Sequence, residues 1–215
     1  MHPDRHRRSF LIVAADDYGY APGYDRGILE AADRGAIDCA SAMVGHRCDP
    51  EPLLATGIEI GIHLEPPGDD LREQLDAFER LFGRPPAYLD GHHHCHARPE
   101  RAERVARLAA EQRLPVRSVD GRHRALLRDL GVATPDRLVG RLDPSEPALP
   151  TLLEGDAPLP DGVTEWMVHP GHRDPRAGSS YDAAREEDLR LVGRLRPALC
   201  ARARCVTHAE AFGDG

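Results

Sequence analysis

The chain has 215 residues with 28 basic and 36 acidic side chains, and its formal charge is −8 when histidine is neutral. This length suits one domain, and the acidic balance argues against a nucleic-acid surface as the main function. The longest apolar run, Phe10–Ala15, is far shorter than the ~20 residues that span a membrane. Every basic residue is arginine, which excludes a catalytic lysine. The 12 histidines, several of them clustered near position 92, require an explanation.

The N-terminal segment has the features of a short tail and not those of a signal peptide. Its basic residues precede an apolar run that is shorter than the usual signal-peptide core of about 7–15 residues and that ends at Asp16. We therefore expect a cytoplasmic protein of one domain, residues 1–215, with a flexible tail over residues 1–9. The five cysteines are odd in number and form no C-x-x-C pair, so we expect reduced thiols and no disulfide framework.

The first half of the chain alternates predicted strands and helices. Phe10–Ala15 is typical of a strand buried on both faces of a parallel sheet. Pro22–Gly35 has helical spacing, with proline in the first turn and glycine at the end. Gly57–Leu64 alternates as a strand does, Leu71–Phe82 has the apolar face of a helix, and Tyr88–Leu89 is a short strand before the histidine cluster.

The second half continues the alternation with less regular patterns. Helices are predicted over Pro99–Arg113, Arg124–Leu130, Pro135–Leu142 and Tyr181–Leu195, and strands over Val116–Val119, Thr164–His169 and Cys205–His208. The proline-rich stretch between positions 144 and 160 is interpreted as a loop within the same domain. Strands alternating with helices predict an α/β fold with a parallel sheet, either doubly wound or closed into a barrel. A complete eightfold barrel takes about 250 residues, so a barrel of this length would be trimmed.

Ionisable side chains follow four predicted strands at their carboxyl ends. They are Asp16 with Asp17, His63, Asp90 with the histidines from His92 onward, and His169 with His172. Because reactive groups in α/β folds collect beyond the carboxyl ends of the strands, these side chains are expected on one rim. Carboxylates together with imidazoles predict a metal site. Two histidines and one carboxylate would leave positions open for water and substrate, as catalysis requires.

Each of these features also has an ordinary structural explanation. Paired aspartates often form a turn or a helix cap, and a single histidine such as His63 is often only hydrogen-bonded or exposed. The hypothesis of a metal site depends on the four strand ends together. The sequence contains no G-x-G-x-x-G or Walker A phosphate loop, no G-x-S-x-G elbow and no H-E-x-x-H helix.

Several motifs resemble those of the YdjC-like, or ChbG, family of carbohydrate deacetylases. Residues 14–19, A-A-D-D-Y-G, resemble the family's N-A-D-D-F-G opening, and residues 61–64, G-I-H-L, resemble its G-x-H-L strand. Residues 90–96, D-G-H-H-H-C-H, are similar to D-S-H-H-H-V-H, and residues 167–171, M-V-H-P-G, resemble M-C-H-P-G. The resemblance runs in order from about residue 10 to residue 190.

This resemblance implies a single distorted (β/α) barrel and the metal-dependent removal of an N-acetyl group from an amino sugar or small glycoconjugate. By position, Asp16 would be the general base and His169 the general acid. Asp17, His63 and His92 would bind one divalent metal ion, with His96 as an alternative to His92. Magnesium or zinc is expected, and nickel, cobalt and manganese are further candidates.

The chain departs from the family pattern in ways that leave the substrate open. Ala14, Gly91 and Val168 replace the Asn, Ser and Cys of the motifs, and the segments after His63 and Val119 are short. We therefore expect a small carbohydrate as partner and neither nucleic acid nor a membrane, while a homodimer is expected from the resemblance alone. The alternative functions are another metal-dependent hydrolase, such as an amidase or phosphoesterase, and a non-catalytic sugar-binding homologue.

The remaining histidines are divided by position. His93, His94 and His96 are expected on the same rim as His92. A surface position is expected for the four residues without any motif, namely His2, His6, His46 and His123. His172 and His208 stay unassigned.

Overall fold

A parallel sheet organises the molecule. The computed structural model describes residues 9–45, 47–66, 70–140 and 159–213. The strands are β1 (Ser9–Tyr18), β2 (Cys39–Ala42), β3 (Glu59–Leu64), β4 (Leu89–Gly91), β5 (Arg137–Val139), β6 (Gly162–Val168) and β7 (Arg204–Cys205). Their order is β4-β3-β2-β1-β6-β5, and β7 also pairs with β1. The sheet curls into a half-barrel flanked by helices, which confirms the expected distorted (β/α) barrel class with parallel strands.

Strand β1 is central because its apolar run is buried on both faces. Ile12 and Val13 have no exposed surface. One edge of β1 pairs with β6 over residues 9–15. The other edge is shared, since β7 pairs at residues 10–11 and β2 pairs from residue 14 to residue 18. The chain thus continues from a fully enclosed strand directly into Asp16 and Asp17.

Helices cover the sheet. They are α1 (Pro22–Asp33), α2 (Pro50–Ala55), α3 (Leu71–Phe82), α4 (Pro99–Gln112), α5 (Gly121–Asp129), α6 (Arg185–Cys200) and α7 (His208–Phe212). Helix α3 shows how local signals set the bounds. The Asp70 side chain accepts hydrogen bonds from two first-turn backbone N–H groups, and Gly83 ends the helix with a φ of 68°. Leu75 and Phe78 face the core, so the predicted helix and its bounds are confirmed.

Several predicted elements differ from the structure. Residues 116–119 form no regular strand, because only Val116 makes an isolated bridge, to Leu89. Residues 137–139, inside a predicted helix, form β5 and pair with β6. Strand β2 and helix α2 were not predicted, since both are too short to show a clear period. The predicted proline-rich loop lies almost entirely outside the described residues.

Two expectations about the chain termini are wrong. Cys200 and Cys205 form a disulfide, because the end of α6 and strand β7 bring their Cα atoms to 5.5 Å. Ser9, expected in a flexible tail, is a buried residue of β1, while residues 1–8 lie outside the described part. Among the described residues, no helix has the length and apolar character needed to cross a membrane.

Candidate metal centre and active site

Two consecutive aspartates of β1 face one cavity, which a regular strand does not allow because its side chains alternate between faces. At Asp17 the backbone adopts a φ of 74°, and the pairing of β1 with β2 shifts register between Ala15 and Tyr18. Asp16 and Asp17 are each only 2% exposed. Both line the cavity at the carboxyl ends of the strands. The backbone irregularity therefore gives the site two carboxylates from adjacent residues.

Asp17, His63 and His92 bring metal-binding atoms together. Asp17 Oδ1 lies 3.1 Å from His63 Nε2 and 2.9 Å from His92 Nδ1. Donor atoms from the three residues all lie within 4.8 Å of one another. Burial by itself would raise the pKa of Asp17, but hydrogen bonds from the two imidazoles hold it well below its ordinary value. One carboxylate and two imidazoles form a donor set that fits a divalent transition-metal ion.

The other ring nitrogen of His63, Nδ1, lies within hydrogen-bonding distance of two buried side chains. His63 Nδ1 lies 2.7 Å from Asp90 Oδ1 and 3.0 Å from Ser41 Oγ. Because a carboxylate can only accept, Nδ1 donates to Asp90, and in a neutral ring the lone pair of Nε2 then faces Asp17. Such carboxylate–histidine pairs orient metal-binding imidazoles and increase their basicity.

Asp16 is bound by an arginine that the sequence analysis did not single out. Arg117 Nη1 and Nη2 donate to Asp16 Oδ2 and Oδ1 at 2.6 and 2.8 Å. The same guanidinium lies 2.9 Å from Asp90 Oδ2 and 2.6 Å from Glu165 Oε1. Burial alone would raise the pKa of Asp16, but the charge of Arg117 outweighs it and holds that pKa below its ordinary value. Asp16 is therefore ionised at neutral pH.

Only one feature of the sequence marks Arg117 and Glu165: each is a charged residue within an apolar segment. Arg117 follows Val116, and Glu165 precedes Trp166. Because all 28 basic residues are arginine, no compositional feature marks one of them. Both side chains are completely buried, where charges are found in pairs.

His169 lies beside Asp16. Its Nε2 is 4.0 Å from Asp16 Oδ2. Its backbone N–H donates to Asp188 Oδ2 at 3.1 Å, and the Tyr181 hydroxyl donates to the same oxygen at 3.1 Å. Burial lowers the pKa of His169, although the nearby aspartates oppose that shift. The backbone of His169 is thus anchored to Asp188, and its imidazole lies near the Asp16 carboxylate.

The second carboxylate oxygen of Asp17, Oδ2, also has a hydrogen-bond partner. Arg185, at the start of α6, donates from Nη2 to Asp17 Oδ2. The Arg185 guanidinium lies over the Tyr24 ring, with its central carbon 3.5 Å from the ring centroid. Both oxygens of Asp17 therefore have defined partners, and Oδ1 is the one that faces the two histidines.

The histidine run separates into two groups. His92 faces Asp17, and His93 and His94 follow with φ angles of 49° and 54° and line the cavity. His96 is fully buried, and its Nε2 donates to the Arg117 carbonyl at 3.1 Å. Of the two alternative metal-binding histidines, His92 is therefore the one that meets Asp17 and His63.

The other histidines lie apart from this cavity. His172 Nε2 lies 2.9 Å from Glu30 Oε2 at a partly exposed position. His123 was expected at the surface, but it is only 5% exposed because α5 turns it toward His96. His208 is fully buried near the amino-terminal ends of the strands. His2, His6 and His46 lie outside the described residues.

The cavity itself is small, at about 160 Å³. The described residues that line it are Asp16, Asp17, His63, Gly91, His92, His93, His94, Met167, His169, Ser179, Ser180, Tyr181 and Arg185. All five residues predicted for the site are therefore gathered at one cavity. The fold and this cluster define an α/β barrel protein with a candidate single-metal centre at the carboxyl ends of its strands.

The family model described as YdjC-like protein matches residues 10–65 and 68–196. The chain belongs to this family. It is 30% identical over 222 residues to a carbohydrate deacetylase of Geobacillus stearothermophilus, covering 85% of this chain and 89% of that protein. It is also 30% identical over 165 residues to a chitooligosaccharide deacetylase of Serratia marcescens, covering 58% of this chain and 64% of that protein.

A solved structure shares the fold. It is a crystal structure from Enterococcus faecalis V583, named as a candidate cellobiose-phosphate cleavage protein. The TM-score is 0.76 at 22% identity, and the match covers 94% of this chain and 98% of that chain. At this identity the likeness supports the architecture.

Proposed function

We propose that this protein is a metal-dependent carbohydrate N-deacetylase, which hydrolyses the acetamide of a small N-acetylated amino sugar. One observation carries the proposal: Asp17, His63 and His92 meet beside Asp16 and His169 in a single cavity. The relatives named carbohydrate deacetylase and chitooligosaccharide deacetylase support the substrate class.

The metal-binding role is assigned to Asp17, His63 and His92. A divalent cation held there would supply Lewis acidity toward a water molecule and the acetyl carbonyl. Asp90 keeps the proton of His63 on Nδ1 and so leaves Nε2 available as a ligand atom. Imidazole donors favour zinc or another transition metal over magnesium, which prefers oxygen ligands and its own water shell.

Proton transfer is assigned to Asp16 and His169. Asp16 is kept ionised by Arg117, and its oxygens retain lone pairs that can accept the proton of an attacking water. His169, whose Nε2 is 4.0 Å from Asp16, would take up that proton as an imidazolium and give it to the departing amine. Asp16 and Asp17 are each only 2% exposed, and charges at such buried positions interact more strongly than in bulk water.

The cavity favours a small substrate group. Its volume of about 160 Å³ lies below the roughly 300–1,000 Å³ typical of sites for drug-sized ligands. Such a space suits an acetamido group with part of one sugar ring. Asp16 and Asp17 are the carboxylates that border it among the described residues, which counts against a two-metal phosphoesterase.

The test is acetate release from N-acetylglucosamine, its β-1,4-linked dimer and an N-acetylated amino acid, with a phosphate monoester assayed in parallel. Each is measured with the metal-loaded enzyme, after chelation, and after metal is restored. We expect acetate from the amino sugars only, lost on chelation and recovered with metal. Acetate release that survives complete metal removal would contradict the proposal. Phosphate release alone would favour a phosphoesterase, and sugar binding without acetate release would favour a non-catalytic homologue.

Matched histidine variants sharpen this assay. His63→Ala should lose both the metal and the activity, because one of the three donors is removed. His172→Ala should keep both, since His172 pairs with Glu30 outside the cavity. Equal activity of the two variants would contradict the metal-binding assignment.

A further inference from the structure

A second group of metal-binding side chains lies at the opposite end of the sheet. Cys39 and Glu59 are the first residues of β2 and β3, and His208 is the first residue of α7. Cys39 and His208 have no exposed surface, and the Glu59 side chain is 7% exposed. We propose that Cys39, Glu59 and His208 form a second zinc-binding site with three protein ligands, distinct from the cavity that holds Asp17.

The donor atoms converge as they do in the first cluster. His208 Nδ1 lies 3.0 Å from Glu59 Oε2 and 3.7 Å from Cys39 Sγ. Donor atoms of the three residues all lie within 4.8 Å of one another. Sulfur, imidazole nitrogen and carboxylate oxygen are the three protein ligands that zinc uses. The cysteine makes zinc a better occupant than magnesium or calcium, which prefer oxygen.

A buried carboxylate lies near the second ring nitrogen of His208, Nε2, as is usual for metal-binding histidines. His208 Nε2 faces Glu165 Oε2 at 3.8 Å. Neither atom has a hydrogen-bond partner within the part of the chain that the structure describes. With zinc on Nδ1, a neutral ring carries its proton on Nε2, directed at Glu165. Zinc on Nδ1 is therefore compatible with the position of Glu165 beside Nε2.

The two clusters are built alike around one arginine. His63 is backed by Asp90, and His208 is backed by Glu165. Asp90 and Glu165 both contact the guanidinium of Arg117, at 2.9 and 2.6 Å. Each histidine turns its other nitrogen toward a second carboxylate. This repeated arrangement favours the same role, metal binding, at both ends of the sheet.

Glu59 also caps α7, and that role is compatible with metal binding. Its two oxygens accept hydrogen bonds from the backbone N–H groups of residues 208 and 209, both at 2.8 Å. Each carboxylate oxygen has two lone pairs, so one remains for a cation. Zinc would then link β2, β3 and α7 and hold the C-terminal helix on the sheet.

Zinc binding must displace protons from this cluster. Burial raises the pKa of the Cys39 thiol to about 12, so the metal-free side chain is protonated. Burial lowers the pKa of His208, but Cys39, Glu165 and Glu59 outweigh it and hold that pKa well above its ordinary value. Zinc thus replaces one proton on Cys39 Sγ and one on His208 Nδ1, and both protons are released to solvent.

Cobalt substitution gives a test specific to this site. The first cluster contains no sulfur, so a thiolate-to-cobalt charge-transfer absorption in the near ultraviolet can report only on cysteine ligation. Full-length protein is stripped of metal, titrated with cobalt chloride and checked for folding by circular dichroism. We expect two bound equivalents and the charge-transfer band in the wild type. Cys39→Ser and Glu59→Gln should each lose one equivalent, Cys39→Ser should lose the band, and Cys48→Ser should keep both.

The outcomes separate this site from the proposed function. A folded wild-type protein that binds one equivalent and shows no band would overturn the zinc site, whatever its deacetylase activity. Persistence of the band in Cys39→Ser would do the same, because another thiol would then be the ligand. His63→Ala should retain the band while losing the other equivalent. Absence of acetate release with the band present would overturn only the proposed function.

Discussion

Both carboxylate oxygens of Asp16 accept hydrogen bonds from the guanidinium of Arg117, at 2.6 and 2.8 Å, and neither residue is more than 2% exposed. A bidentate arginine–carboxylate pair fixes orientation as well as charge. Arg117 also neutralises Asp90 and Glu165, which are completely buried. The geometry of the proposed base therefore depends on an arginine that does not line the cavity.

Replacing Arg117 by methionine should be strongly destabilising, because three buried carboxylates would lose their shared cation. Breaking a buried ion pair from one side costs about 3–5 kcal/mol, and we expect a loss of at least that size in the free energy of unfolding. Urea denaturation measures it. Arg107→Met removes an exposed pair with Glu103 and should cost at most about 0.5 kcal/mol. A loss of stability in Arg117→Met as small as that in Arg107→Met would show that Arg117 is not needed for charge compensation.

Asp90→Asn should weaken metal binding while leaving the three proposed ligands in place. The neutral amide cannot support His63 Nδ1 as the carboxylate does at 2.7 Å. Removal of such a partner typically lowers metal affinity about 10–100-fold. Zinc titration of the stripped protein measures the change. Asp129→Asn makes the same charge change at an exposed position and should have no effect. Unchanged affinity in Asp90→Asn would contradict the role given to this carboxylate.

Gly27→Ala should destabilise the loop that follows β6 and carries His169. A Cβ at position 27 would lie 2.3 Å from the Cα of Gly171, so helix α1 and this loop would have to separate. Overpacking of this kind costs about 1–3 kcal/mol. Gly193→Ala is the matched control, because nothing lies within 4 Å of its added Cβ. That variant should gain up to about 1 kcal/mol from helix propensity. In thermal and urea unfolding, the stability changes of Gly27→Ala and Gly193→Ala should have opposite signs. Equal changes in the two variants would contradict the close contact at position 27.

His123 should make the protein less stable in mild acid. Burial lowers its pKa in the folded state to about 4, with Asp120 opposing and Arg124 assisting the shift. The ordinary value near 6.5 applies to the unfolded chain. Between these two values the unfolded state binds more protons, so stability rises with pH across this range. The contribution of a neutral His123 is complete above about pH 6.5 and is lost as the pH falls toward about 4.

The variant His123→Gln isolates this effect from other titrating groups. The difference in unfolding free energy between wild type and variant should shift against the wild type as the pH falls from about 7 to about 4.5. Urea denaturation at several pH values within this range provides the measurement. Parallel pH profiles for the two proteins would show that His123 does not have a lowered pKa.

The gathering of these side chains could be predicted because a parallel sheet brings its strand ends together. Asp16, Asp17, His63, His92 and His169 lie near the carboxyl ends of four strands, and the structure gathers all five at one cavity. Helix α3 was predictable for a local reason, since Asp70 caps its start and Gly83 ends it. In both cases the signal is contained in the residues themselves.

The remaining features depend on contacts between distant segments. Arg117 lies 101 positions from Asp16, and nothing local marks it as the partner of that residue. Strand β5 has three residues, which is too short for a period to distinguish it from a helix. The Cys200–Cys205 disulfide depends on how α6 turns back toward β7, which an odd cysteine count does not reveal.

The most direct test of the proposed chemistry separates metal binding from proton transfer. Asp16→Asn removes the proposed base and leaves Asp17, His63 and His92 unchanged. Wild type and variant are reloaded with zinc, and bound metal and acetate release from an N-acetylated amino sugar are measured on the same samples. We expect the variant to keep its metal and to lose at least about 100-fold in turnover. Wild-type turnover in a variant that holds its full metal content would contradict the assignment of Asp16 as the base.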